Sequence, residues 1–425
     1  MKLLYVSTTV QTPLRFLEGQ NRYMREHGFE LHALAAPAAE WTELVQRDQL
    51  QAHPLPIARG ITPLRDLLTI WRMFRLFRKL QPDLLHLSTP KAALLGAVAG
   101  WLAKVPARVF LVRNTSIENA RGLRKVAARW LERLTVQLCH RTIAVSHSLR
   151  TLLEAEKILG PGECIVIGQG MSNGVDVRRY DPKRVTPIEV TGLLPESVHI
   201  PEPVVVGCVG RLAIDKGLAE IAAAWQQLRE EFPAAVLLLC GEWDTADSRV
   251  APLRSQLATD PRVIQVGVVN DLERYLAAMD VLVFPSHGRE GFPNAPMAAA
   301  SMGVPLIVSD VTGCVDTVAD GETGQIVPCG DAAALTAALR AYLNSPEIRA
   351  EHGRHGRQRV LDHFQREHIW SGLYAVYHEL LSEVLPPARL RELRQPMVFG
   401  LTDEPELPTQ STALPSDPPR VNHHD

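Results

Sequence analysis

Short apolar runs alternate with longer segments of helical period from Met1 to about Arg150. Lys2–Ser7 and Glu30–Ala35 read as strands with a helix, Pro13–His27, between them, and Leu84–Leu87, Val109–Val112 and Thr142–Ser146 continue the strand series. Strands that are apolar on both faces and separated by helices predict a parallel sheet covered on both sides. Prolines 182, 187, 195, 201 and 203 then break the alternation, which places a linker at 185–203. A second series starts at Val204–Val209 and runs through Ala235–Cys240, Val263–Val266, Val281–Phe284, Leu306–Ser309 and Gly324–Val327. Its clearest helices are Leu218–Glu231, Leu272–Asp280 and Ala332–Leu343, and Phe364–Leu385 is the last segment with apolar period. Residues 386–425 hold eight of the 31 prolines and are expected to form a disordered tail. The pattern therefore predicts an α/β chain of two doubly wound, Rossmann-like domains, 1–184 and 204–363. Ligands bind such sheets outside the carboxyl ends of the strands, so the cleft between the two is the expected site.

The length of 425 residues and the 46% hydrophobic content support two or three cored domains at about 150 residues each. The net charge of −2 conceals an asymmetry. Residues 1–185 hold 27 Lys/Arg against 15 Asp/Glu, a balance of +12, and the remainder holds 18 against 32, a balance of −14. A basic half facing something anionic is one consequence. The six cysteines are far apart, form no C-x-x-C pair and read as reduced core thiols. The first residues lack the long apolar core of a signal peptide, and the longest uncharged apolar run, Ala92–Ala103, falls far short of the ~20 residues that span a bilayer.

Candidate chemistry lies in two loops of the second half. After the strand ending at Gly210 come Arg211 and, five residues on, Lys216 before Gly217. A planar guanidinium and a mobile ammonium suit a diphosphate, although two solvated loop cations have the same spacing. After Phe284 the chain reads Pro-Ser-His-Gly-Arg-Glu290-Gly291-Phe292-Pro293-Asn294 and enters an alanine-rich helix. Free N–H groups at such a start favour an anion, Gly291 lets a ligand approach the backbone, and Glu290 could hold sugar hydroxyls. A well-capped helix with an N-terminal charge is the equal alternative.

These stretches belong to a longer series. It comprises Pro82-Asp83-Leu-Leu-His86-Leu-Ser-Thr89-Pro90-Lys91, Ala144-Val145-Ser146-His-Ser148-Leu149, and Ser172-Asn173-Gly174-Val175-Asp176. Then come Gly210-Arg211…Lys216-Gly217, Glu290 to Asn294, and Gly313-Cys314…Asp320-Gly321…Gly324…Val327-Pro328. Six motifs in this order resemble the family 4 retaining glycosyltransferases over nearly the whole chain from Met1 to about Leu385. The likeness is nearest to bacterial capsule, exopolysaccharide and O-antigen enzymes, including undecaprenyl-diphosphate-linked N-acetylgalactosaminyltransferases. The resemblance implies a GT-B architecture, two facing Rossmann-like domains, with 364–385 returning to the first. It implies a nucleotide-sugar donor, a UDP-sugar, and a lipid-linked saccharide acceptor on undecaprenyl diphosphate.

Carried over by position, Arg211 and Lys216 neutralise the departing nucleotide, Glu290 stands beside the transferred sugar, and Gly210 and Gly291 to Asn294 line the donor. His86, Thr89, Lys91 and Arg113 fall on the acceptor side. No Asp-x-Asp occurs, and histidines 352, 355, 363, 368, 423 and 424 make no convincing ligand set. No metal and no cofactor beyond the donor substrate are therefore expected.

Two positions depart from the resembled pattern. Ala298 stands where the second carboxylate of a Glu–seven residues–Glu pair, a ribose ligand, is expected. Arg113-Asn114 replaces a His-Gly near the reacting centre. These departures feed a rival reading of a non-catalytic member that binds a glycan or a partner enzyme. A nucleotide-sugar epimerase of the same architecture is a third reading, which the N-terminal motif order disfavours. A dinucleotide oxidoreductase is excluded, because no G-x-G-x-x-G follows the first strand.

In Leu64–Leu80, Arg65, Arg72, Arg75 and Lys79 share one side of a helix largely covered elsewhere by Trp, Met, Phe and Leu, and 121–141 is a second basic stretch. With the +12 balance, this favours a cytoplasmic protein attached peripherally to the anionic inner leaflet of the plasma membrane. A sheet-covering helix with a solvated basic face would look the same. No aromatic-interleaved basic platform points to nucleic acid.

Overall fold

Apolar runs such as Leu84-Leu-His-Leu-Ser and Val281-Leu-Val-Phe place side chains on both faces of an extended chain, and both runs are wholly buried. A computed structural model describes residues 1–58, 60, 62–115, 117–118, 120–288 and 290–395. The first seven strands are β1 (Lys2–Val6), β2 (Glu30–Ala35), β3 (Gln51–Pro54), β4 (Leu84–Ser88), β5 (Ala107–Val112), β6 (Arg141–Ala144) and β7 (Cys164–Val166), in the order β3-β2-β1-β4-β5-β6-β7. The next six are β8 (Val204–Val209), β9 (Ala235–Cys240), β10 (Val263–Gly267), β11 (Val281–Phe284), β12 (Leu306–Ser309) and β13 (Gly324–Val327), in the order β10-β9-β8-β11-β12-β13. Every pairing is parallel. Strand order reverses between β1 and β4 and again between β8 and β11, which puts a ligand crevice at each switch point.

The α/β expectation holds, with differences that have local causes. The helix expected at Pro13–His27 is two, Gln11–Phe16 and Gln20–Glu26, broken at Gly19, against which the Trp370 indole packs. The helix expected at Leu272–Asp280 ends at Leu276. Met279 turns onto Gly207, and Asp280 is drawn into the sheet, its N–H donating to Val205 C=O at 2.9 Å and its carboxylate accepting from Val205 N–H at 2.7 Å. Strands β3 and β7 were not expected. Both are short and only partly buried.

The domain boundaries also shift. The segment 185–203 is not a free linker: Val190 is buried with Met171 and Val175 in the core of the second domain, and Ile188 N–H donates to Arg274 C=O at 3.1 Å. The chain crosses between domains earlier, between Ile167, packed in the first core, and Met171, packed in the second. It crosses back beside the same point, where Val175 N–H donates to Phe364 C=O at 2.7 Å and Arg366 N–H to Val175 C=O at 3.2 Å. The returning helix, Arg366–Val384, buries Ile369, Leu373, Tyr374 and Tyr377 against the first domain.

The tail boundary at 386 is likewise corrected. Helix Pro387–Leu390 follows it, Leu393 is buried, Arg389 pairs with Asp83 at 2.6 Å, and Glu392 pairs with the Met1 ammonium at 3.0 Å. Of the expected tail, 396–425 lies outside the described residues.

Candidate active site

Strand β8 leaves its sheet at Gly210, and the chain makes one 3-10 turn, Ile214–Lys216, before helix Leu218–Leu228. At the junction Gly217 has φ +76°, and a Cβ there would overlap the carbonyl oxygen of Pro285, just past β11. Glycine lets the β8 and β11 loops touch. His287 N–H donates to Asp215 C=O at 3.0 Å, the Ser286 hydroxyl donates to Glu290 Oε1 at 2.9 Å, and Lys216 Nζ pairs with the Glu290 carboxylate. Lys216 and Glu290, 74 residues apart in sequence, thus meet at the switch point, with side chains 24% and 13% exposed.

Arg211 is not part of that pair. Its guanidinium spans two other carboxylates, Asp215 at 2.8 Å and Asp244, on the more open side of the loop. Helix Asn294–Ser301 starts from Pro293 with no side-chain cap on its first N–H groups. Pro293 has no N–H, so only Gly291, Phe292 and Asn294 of the expected donor run have backbone hydrogens to offer. The Phe292 ring turns away toward Phe364 at 5.5 Å and toward Gly170. Ala298 lies buried in the second core.

Gly291 also makes room for a neighbour within the protein. A Cβ there would overlap the carbonyl oxygen of Arg113, so the neighbour that needs the space is the backbone of the first domain. A second cross-domain contact was missed by sequence reasoning, although both partners lie in recognised motifs. Ser148 N–H donates to Asp316 Oδ1 at 3.1 Å, its hydroxyl contacts the same carboxylate, and Gly313 N–H donates to Ser148 Oγ at 2.8 Å. Ser-x-Ser at a helix start is the signal that was available: Ser146 caps helix His147–Ala155, leaving Ser148 free to reach across.

The residues expected on the acceptor side do not form one exposed surface. His86 is fully buried on β4, its Nδ1 meets the Tyr377 hydroxyl, and burial pushes its pKa down to about 3. It cannot touch an acceptor in this arrangement. Lys91 is engaged by Asp66 at 2.7 Å, which ties the start of helix Pro90–Leu102 to that of helix Pro63–Leu80. Thr89, at φ +67°, shares its hydroxyl with Thr8 Oγ1 at 2.8 Å across the β1/β4 switch point. Arg113 follows β5, with Nη1 donating to Ser172 Oγ at 2.9 Å. Among the described residues no three His, Cys, Asp or Glu come together as a possible metal cage.

Two parallel doubly wound sheets, with loops from both switch points and a pair of adjacent chain crossings, define a GT-B glycosyltransferase fold. The glycosyl transferases group 1 model matches residues 203–345, and the glycosyl transferase 4-like domain model matches residues 15–170. The chain is 30% identical over 377 residues, 88% of its length and 96% of the relative's, to the capsular polysaccharide biosynthesis glycosyltransferase CapM of Staphylococcus aureus. It is 27% identical over 292 residues, 67% of its length and 72% of the relative's, to an Escherichia coli UDP-Gal:α-D-GlcNAc-diphosphoundecaprenol α-1,3-galactosyltransferase. In fold it resembles Anabaena HepE in complex with UDP, at TM-score 0.73 and 18% identity, with 89% of this chain and 100% of that one covered. The chain belongs to this glycosyltransferase family and is a transferase of sugars.

Proposed function

We propose that the protein moves a sugar from a UDP-sugar, with retention, to a lipid-linked saccharide, an undecaprenyl-diphosphate acceptor, in assembly of a bacterial surface polysaccharide such as capsule or lipopolysaccharide. The Lys216–Glu290 pair at the β8/β11 switch point carries this reading. When the bond between sugar and diphosphate breaks, negative charge builds on the departing nucleotide, and fixed positive groups at that position lower the barrier. Lys216 and the uncapped start of helix Asn294–Ser301 supply such groups. Arg211 joins them at small cost, because exposed ion pairs like those it makes with Asp215 and Asp244 contribute only about 0–1 kcal/mol. Glu290, oriented by Ser286, accepts hydrogen bonds from the transferred sugar.

With this charge supplied by protein groups, the reaction needs no divalent ion and no cofactor. The UDP bound in HepE, and the diphosphoundecaprenol substrate and capsule pathway in the names of the two sequence relatives, support the choice of donor, acceptor and pathway.

The same reading places the first domain on the cytoplasmic leaflet. Helix Pro90–Leu102 lies between helices Pro63–Leu80 and Leu123–Gln137, and on these three Trp71, Trp101 and Trp130 are each more than half exposed, with Leu64, Leu67 and Leu123 also exposed. Tryptophan and leucine among arginines suit an interface of acyl chains and anionic headgroups. Among the described residues no helix is long and apolar enough to cross a membrane.

A panel of nucleotide sugars incubated with lipid extracts tests the reading. The expected result is transfer from a UDP-sugar to lipid, with the donor's anomeric configuration kept in the product and rates unchanged by EDTA. The buried Ala298, with no ribose-binding carboxylate at that place, is the observation behind a non-catalytic binding subunit. Absence of both turnover and nucleotide-induced stabilisation across the panel would establish that alternative.

A further inference from the structure

The guanidinium of Arg113 is the most unusual charge in the first domain. Nη1 is engaged by Ser172, but Nε and Nη2 are buried and among the described residues no group pairs with them. Among the described residues no carboxylate forms an ion pair with it. The ionisable neighbours within reach of its charge are Tyr5, His86 and Tyr377. Near it His86 Nε2 is also buried without a hydrogen-bond partner among the described residues, whereas Tyr5 has Gln20 beside its hydroxyl. Burial lowers the Arg113 pKa only to about 10, so the charge persists at neutral pH. A buried cation with no counter-charge destabilises a fold, and such arrangements concentrate where function requires them.

The pattern of use is informative. Nε–H and Nη2–H form the side-on edge of the guanidinium, the fork that grips two oxygens of one carboxylate or phosphate. That edge is the free one. Over the guanidinium lies the Phe16 ring, 5.0 Å away and partly exposed, on the short helix Gln11–Phe16 beside the β1 switch point. The carbonyl of the same Arg113 abuts Gly291, next to Glu290.

We propose that the side-on edge of Arg113 is an oxyanion subsite of the cleft, reached when Phe16 swings aside, which takes two oxygens of a substrate phosphate or carboxylate. The inference rests on the transferase reading only for what carries the oxyanion: the diphosphate of a lipid-linked acceptor, or the carboxylate of a uronic acid sugar.

The test needs no turnover, so its failure is separable from failure of that reading. In an Arg211→Ala/Lys216→Ala background, which removes the donor phosphate cations, binding of inorganic pyrophosphate and of glucuronate is measured by calorimetry. Binding of one probe that weakens at least tenfold on adding Arg113→Met, and likewise on adding Arg113→Lys, which keeps charge but loses the fork, supports the subsite. The probe that responds names the carrier, phosphate or carboxylate. Arg113→Met should also raise Tm, because it removes a buried unpaired charge, whereas a purely structural arginine would lower it. If neither probe binds the background protein, or binding is unchanged in whichever Arg113 variant folds, the subsite is overturned.

Discussion

At the scale of single residues, the site depends on how each charge is held. Arg211 sits on solvent-facing carboxylates, so Arg211→Ala should leave Tm nearly unchanged while lowering kcat by about 10²–10³-fold, the usual cost of losing one charge-stabilising donor. A steady-state assay beside a thermal melt checks both. His86 gives the opposite kind of prediction, one of stability. Its pKa lies near 3 in the fold against 6.5 when unfolded, so the unfolded chain binds the extra proton first as pH falls. Stability should therefore be full above about pH 6.5 and decline toward pH 3, by roughly 1.4 kcal/mol per pH unit for such a group. Urea unfolding across that range should show a shallower decline in His86→Gln. The positions of Arg211, Lys216 and Glu290 in loops after strands were legible in the sequence because each follows an apolar run within a few residues. The states of His86, Lys91 and Arg113 were not, because Tyr377, Asp66 and Ser172 lie 25 to 291 residues away.

At the scale of elements, the loop after β8 is positioned by contact with the loop after β11. Gly217→Ala would meet the carbonyl of Pro285 and occupy φ +76°, so it should destabilise the second domain by about 1–3 kcal/mol and separate Lys216 from Glu290. Denaturation midpoints measure the first effect, and a loss of donor affinity the second. The central strands of both sheets were legible because they are apolar on both faces. The short edge strands β3 and β7 were not, and the break at Gly19 depends on Trp370, which no local pattern reveals. The prolines at 182, 187 and 195 read as a spacer because proline ends regular structure. Here they shape a segment whose apolar residues, Val185, Ile188 and Val190, pack on the second domain.

At the scale of the whole molecule, the returning crossing at Gln365 pairs with Val175, just past the outgoing crossing at 167–171, and contacts of Gly291 on Arg113 and Ser148 on Asp316 bridge the cleft. Parallel crossings of this kind suit a hinge. Gly291→Ala should hold the domains apart, with a larger radius of gyration by small-angle scattering and a lower kcat. An unchanged radius would mean that the backbone shifts locally instead. The triple change Trp71→Ala, Trp101→Ala and Trp130→Ala should abolish sedimentation with anionic vesicles and leave the fold intact, since all three side chains are largely exposed. The charge asymmetry made the basic half visible in the sequence, but exposure of those tryptophans became visible only with the helices in place. Arg211 and Lys216 are proposed to hold the donor's diphosphate beside Glu290, and calorimetric titration of UDP measures that role. The Arg211→Ala/Lys216→Ala protein should fold, at a Tm lowered by loss of the largely buried Lys216–Glu290 pair, and bind UDP at least a hundredfold more weakly than the wild type, whereas equal affinity in the two proteins would overturn the assignment of these cations.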